Sequence, residues 1–121
     1  VLQDRYIDSS VAYQGVARGL GAEQVRSVSE WAADGLAPDL TILLDLDVTV
    51  GRARVAAARG DTFDRLESEA AAFHESVRQA FLAMAEAEPA RFLVVDASAP
   101  TDTVQDAVRR AVAPLVGIDP A

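Results

Sequence analysis

Two apolar runs of strand length, Leu40 to Leu46 (LTILLDL) and Arg91 to Asp96 (RFLVVD), constrain this chain more than any other feature. Neither alternates apolar with polar residues, so each reads as a strand covered on both faces, the pattern of a parallel sheet. The sequence between the runs reads as helical. A helix is expected from about Thr49 to Arg59, then the polar turn RGDTFDR, then a long helix from about Leu66 to Ala87. In the long helix Phe73, Val77, Ala80, Phe81 and Met84 keep helical spacing, and Glu88-Pro89 closes it. After the second run, Thr101 to Val116 reads as a last helix, with Thr101 as its N-cap and Val104, Val108, Ala111, Val112 and Leu115 inward.

Upstream, Ser9 to Arg18 suits a short helix ended by Gly19 and Gly21. A second helix is expected from about Ala22 to Asp34, with Gly35 as its stop. Its apolar stripe, Val25, Val28, Trp31 and Ala32, predicts an inward face with Trp31 in the core. Val1 to Asp4 reads as the end of a strand that begins upstream. The alternation of strands and helices predicts an α/β fold, a doubly wound parallel sheet flanked by helices, with residues 1–121 in one domain. Ligands of such sheets sit at the carboxyl ends of the strands, here Asp4, Asp45 to Asp47, and Asp96 to Ser98.

Composition narrows the function. The net charge of -8 argues against a nucleic-acid partner, which requires a basic face. No apolar run reaches the ~18 residues of a membrane span, and no cysteine offers a disulfide or a thiolate ligand. A cytoplasmic protein without membrane contact is expected. All eleven basic residues are arginine, so the chain lacks the lysine of a GxxxxGK[ST] phosphate loop.

Three segments can carry chemistry. In DRYIDSSVAYQG, Asp4 to Gly15, an Asp-Arg pair at a strand end suits a magnesium-bound phosphate, the carboxylate through metal-bound water and the guanidinium as a fork. Ser10 and Gln14 share a helix face with Tyr13 beside them, so hydroxyl, amide and phenol can converge on one ligand. A salt-bridged pair followed by a capped helix fits the same residues. In the second segment Arg52, Arg54, Arg59 and Arg65 surround the polar turn, where they either close over a polyphosphate or pair with Asp61, Asp64, Glu67 and Glu69 on a solvated face. The third, DASAP from Asp96 to Pro100, lets backbone approach a ligand or simply makes a tight turn. His74, the sole histidine, has no metal-binding companion and reads as structural.

These residues resemble the bacterial thymidylate kinases. DRYIDSSVAYQG is similar to that family's acceptor motif, and PDLTILLDLDVTVGRAR to its central strand and the following helix. RGDTFDRLESEAAAFHESVRQAF is similar to its lid and long helix, and RFLVVDASAPTDTV to its closing strand and adenine-side loop. The resemblance is collinear along nearly the whole chain. It implies a P-loop kinase fold that transfers the γ-phosphoryl of ATP to dTMP with Mg2+, and a homodimer for the full-length enzyme. It further implies Arg5, Arg54 and Arg59 as catalytic residues, and Arg5, Ser10, Tyr13 and Gln14 as the dTMP contacts. Arg52, Arg54, Arg59 and Arg65 would form the lid, at about residues 52–65, and Ala97 and Ser98 the ATP side, within the loop 96–100. Asp4 would sit near the metal through water. The chain corresponds to the family's C-terminal portion, without the phosphate loop, and alone is expected to be inactive. A non-catalytic relative of the family, kept for binding or assembly, is the alternative.

Overall fold

The computed structural model describes residues 1–59 and 65–119, with the side chains of residues 59 and 65–69 also outside the description. The chain divides into two compact units. One comprises Val1–Ala37 and Asp47–Met84, the other Pro38–Leu46 and Ala85–Ala121.

The first unit opens with α1 (Ile7–Ser10), which runs directly into a π-helical segment, Val11–Ala17. Gly19 and Gly21 adopt the positive φ that the turn requires, and α2 (Ala22–Ala32) returns beside the segment it left. Two antiparallel helices joined by a short glycine turn make an αα-hairpin. Three contacts tie its arms together. Gly15 packs so closely on Ala22 that a Cβ at residue 15 would stand 2.9 Å from the Ala22 Cα. Asp8 faces Arg26 at 3.8 Å, and the Tyr6 hydroxyl donates to the Leu36 carbonyl at 3.0 Å. Past α2, Asp34 and Gly35 both take positive φ, and the Gly35 amide bonds the Glu30 carbonyl, which closes the helix as expected.

The same unit holds α3 (Val48–Arg59) and most of α4 (Arg65–Ala87). Asp47 caps α3 by accepting from the amides of Thr49 and Val50, and Arg78 of α4 lies 3.6 Å from the same carboxylate. The core joins the hairpin to α4: Ala12, Val77 and Ala80 are buried, with Tyr13, Ala17, Phe73, Phe81 and Met84 packed against them. The spacing of Phe73, Val77, Ala80, Phe81 and Met84 thus identified the inward face of α4.

In the second unit β1 (Thr41–Asp45) and β2 (Phe92–Asp96) pair in parallel, Thr41 beside Phe92 through to Asp45 beside Asp96. Arg91 ties the start of the sheet by donating to the Thr41 hydroxyl at 3.0 Å while its guanidinium covers the Phe92 ring. Helix α5 (Thr101–Val112) packs on β2 and continues as a 3-10 turn, Ala113–Val116. These strands confirm an α/β fold with a parallel sheet.

Five expectations need correction. Leu115, expected inward on the last helix, lies in the 3-10 turn and is exposed. Val1 to Asp4 forms no strand, because the described sheet is the β1–β2 pair alone and a strand exists only by its ladder. The strands are not covered on both faces: Leu44 and Val94, which the register puts on opposite faces, are exposed. The N-cap of α5 is Pro100, in extended conformation with ψ 147°, and Thr101 is already the first helical residue. Trp31 is 84% exposed rather than core. The half-buried residues on α2 and at its C-cap are Ala22, Val25, Arg26, Ser29 and Ala33, whereas Val28 and Trp31 are exposed. Close approach to the first arm selects small residues and an ion-pairing arginine, which overrides the apolar stripe.

The Gly15 contact yields a first test. Gly15→Ala gains about 1 kcal/mol of helix propensity. The added methyl meets backbone, which cannot rotate away, at a strain of about 1–3 kcal/mol. A net loss of stability is expected in thermal unfolding, and a stabilised Gly15→Ala would contradict the close packing.

Candidate functional site

A cleft of about 610 Å³ lies along the hairpin, lined by Arg5 to Ile7, Ser9, Ser10, Tyr13 and Gln14 on one arm and by Ser29, Ala32 and Ala33 on the other. The segment DRYIDSSVAYQG therefore brings Arg5, Ser10, Tyr13 and Gln14 together. Local backbone explains how. Arg5 has φ 62°, the left-handed region, which costs a non-glycine residue roughly 1–2 kcal/mol. That turn lets its guanidinium lie 5.1 Å from the centre of the Tyr13 ring. The π-helical stretch then carries Tyr13 and Gln14. Its wider i→i+5 bonding is visible in the Arg18 amide donating to the Tyr13 carbonyl, and such segments recur at functional sites.

Tyr13 is held from behind. Its ring meets Phe73 at 5.9 Å and Phe81 edge-on at 6.5 Å, so one side belongs to the core and another to the cleft. A positively charged fork, two hydroxyls, an amide and a fixed aromatic ring can bind a small, partly aromatic anion. The arginine suits a phosphate and the neutral groups a base or sugar.

Asp8 is the buried charged side chain among the described residues, 5% exposed, between the cleft-lining Ile7 and Ser9. Its partner Arg26 also donates to the Met84 sulfur at 3.3 Å and approaches Glu30 at 4.0 Å. Sequence reasoning passed over Asp8 and Arg26, together with Tyr6, Ser29, Ala32 and Ala33. The available signal was the phase of α2. Residues 22, 25, 26, 29 and 33 form one helical face that includes the arginine and the serine, and a serine amid that face marks a polar wall.

Other expected site residues lie elsewhere. Asp4 is exposed, next in sequence to Arg5. Arg52 and Arg54 stand on α3, the first half-buried and the second exposed, and neither lines the cleft. Arg59 ends α3 and Arg65 begins α4, but their side chains, and residues 60–64 between them, fall outside the described residues. Among the described residues no group of three metal-binding side chains occurs. A magnesium ion does not demand one, since it is commonly held by one or two carboxylates, waters and substrate phosphates. The exposed carboxylate of Asp4 beside the phosphate-binding type of group, Arg5, fits that mode. His74 is exposed and meets Phe73 edge-on, a packing role. Among the described residues no helix is long and apolar enough to cross a membrane.

In the second unit the loop after β2 is held by Asp96. Its Oδ1 accepts from the Ser98 hydroxyl at 2.6 Å and the Ser98 amide at 2.9 Å, while the Ala97 amide bonds the Asp45 carbonyl. The Ser98 hydroxyl, then its amide, holds the Asp96 carboxyl below the ordinary carboxylate range. A carboxyl lowered in the folded state contributes stability above its unfolded pKa and loses that contribution as pH falls through the folded one. Ser98→Ala is expected to move the Asp96 titration to higher pH, nearer the ordinary value, in a carboxyl-carbon NMR titration. An unmoved titration would refute this origin.

A sequence model of the family described as Thymidylate kinase matches residues 1–108. Similar curated proteins include the thymidylate kinase of Clavibacter michiganensis subsp. michiganensis, 63% identical over 90% of this chain and 51% of its own length. That of Leifsonia xyli subsp. xyli is 62% identical over 90% of this chain and 51% of its own length. That of Latilactobacillus sakei subsp. sakei is 48% identical over 86% and 49% respectively. The chain thus spans about half the length of the curated relatives it matches.

Proposed function

Because this chain belongs to the thymidylate kinase family, we propose that it supplies the acceptor half of an enzyme that transfers the γ-phosphoryl of ATP to dTMP. The observation that carries this reading is the convergence of Arg5, Ser10, Tyr13 and Gln14 on one cleft. Arg5 binds the acceptor phosphate and spreads the charge that develops as the phosphoryl passes. Ser10 and Gln14 hydrogen-bond the edge of thymine. Tyr13, backed by Phe73 and Phe81, packs under the deoxyribose. Its fixed ring would crowd a 2'-hydroxyl, which favours the deoxynucleotide.

Bound with ATP, Mg2+ would supply charge neutralisation at the phosphates, and Asp4 is the residue that would hold it, through water. Arg52, Arg54, Arg59 and Arg65 are assigned to the lid, with Arg54 and Arg59 acting in catalysis, and Ala97 and Ser98 to the adenine side. The glycine-rich loop that cradles the donor phosphates lies outside these residues, so the 121 residues alone are inactive in this reading. The enzyme works in the cytoplasm, without nucleic-acid or membrane partners, and as a homodimer. The outward stripe of Val28 and Trp31 supports self-association, since large apolar residues clustered on a surface favour burial.

Arg5→Ala, made in the complete kinase, is expected to lower dTMP turnover by ~10³ or more. Circular dichroism should stay native, because the ring contact it loses is worth only about 0.5–1 kcal/mol at an exposed site. Near-normal turnover would sink the assignment, and a complete protein that phosphorylates another monophosphate faster than dTMP would sink the substrate. For assembly, Trp31→Glu is expected to shift the protein to monomer in sedimentation velocity. An unchanged dimer would exclude that face.

A further inference from the structure

We infer that the Asp8–Arg26 pair is a positioning device that sets the width of the acceptor cleft, an inference that rests on the reading of that cleft as the dTMP site. The pair occupies the seam of the hairpin. Asp8 sits on the first arm between two cleft-lining residues, Ile7 and Ser9, and three residues after Arg5. Arg26 sits on the second arm, one turn before Ser29 and two before Ala33, which line the opposite wall. Seen along the hairpin, the remaining ties lie toward its ends, Gly15 on Ala22 beside the turn and Tyr6 on Leu36 at the open end. The ion pair is the tie between them, and it is the charged one.

The chemistry makes this contact directional. Asp8 is 5% exposed, so its carboxylate has given up most of its water, and the Arg26 guanidinium 3.8 Å across the seam contributes to offsetting that loss. Arg26 is in turn fixed by Met84 of α4 and by Glu30 one turn along its own helix. Met84 also packs against the core that contains Ala12. The wall carrying Ser29 is thereby referenced to the same core that backs Tyr13. Without the charge on Asp8, the two walls lose their fixed spacing while Arg5, Ser10 and Gln14 all remain present. Asp8 and Arg26 touch no substrate in this scheme. They act through the residues they hold.

A purely structural role predicts fewer folded molecules with ordinary substrate affinity. A positioning role predicts folded molecules with a selectively weakened acceptor site. Steady-state kinetics of the complete kinase separate the two. Asp8→Asn and Arg26→Gln are each expected to raise KM for dTMP about tenfold, with KM for ATP changed less than about twofold. The double variant is expected to be no worse than either single one, because both remove the same contact. Arg26→Lys, which keeps the charge, should recover part of the dTMP affinity, and it serves as the readout if Asp8→Asn does not fold. Unchanged dTMP KM in folded variants, equal loss for both substrates, or multiplying effects in the double variant would each overturn the inference. A wild-type enzyme that neither binds nor phosphorylates dTMP would overturn the functional reading first, and this inference with it.

Discussion

The hairpin of α1, the π-helical segment and α2 holds together because nothing stands between Gly15 and Ala22. At that separation the two backbones are in contact, so the arms cannot slide or tilt without collision. Everything of chemical interest in the first unit is referenced to this approach. It brings Asp8 opposite Arg26, puts Tyr6 within reach of Leu36, and leaves between the arms a groove wide enough for a small ligand. A larger residue at position 15 would widen the base of the hairpin and move both walls at once.

Strain and packing divide the work of shaping that groove. Arg5 accepts an unfavourable backbone conformation, and the π-helical turns give up the tighter α-helical ladder. Both deviations fall within the first arm of the cleft, and the apolar contacts of Tyr13, Phe73, Phe81, Val77 and Ala80 offset them. The second unit, by contrast, is regular. Its parallel strands, the Asp96 turn and α5 use ordinary local rules, and the turn residues are the ones that such rules favour.

The helices and both strands could be read from periodicity and punctuation, since α3, α4 and α5 start within about a residue of their expected positions, well inside the usual boundary error. Glycine stops and the Glu88-Pro89 end are local signals, and local signals survive folding. The cleft residues stood out for a different reason: spacing alone favoured a salt-bridged pair and a capped helix over a site at Arg5, Ser10, Tyr13 and Gln14, and the family resemblance singled them out as a group. The failures over burial share one cause. Trp31, Leu44 and Val94 were assigned to the interior by their own hydrophobicity, yet burial depends on what lies opposite. For α2 the opposite surface is an arm carrying Asp8 and Gly15, which selects Arg26, Ser29 and alanines. Neither partner is visible in the periodicity of α2 itself, and the cleft wall it forms was missed with it.

The outward turn of α2 also sorts the chromophores of this chain. Its single tryptophan lies in solvent on the outer face of the hairpin, and both of its tyrosines line the cleft. In the isolated chain, indole emission is therefore that of a water-exposed ring and carries information about the outer surface. Phenol absorption and emission come wholly from the groove, where Tyr13 lies under a guanidinium and Tyr6 donates to a carbonyl. Two spectral bands thus view two sides of one helical hairpin, an optical separation produced by the same close contact that holds its arms.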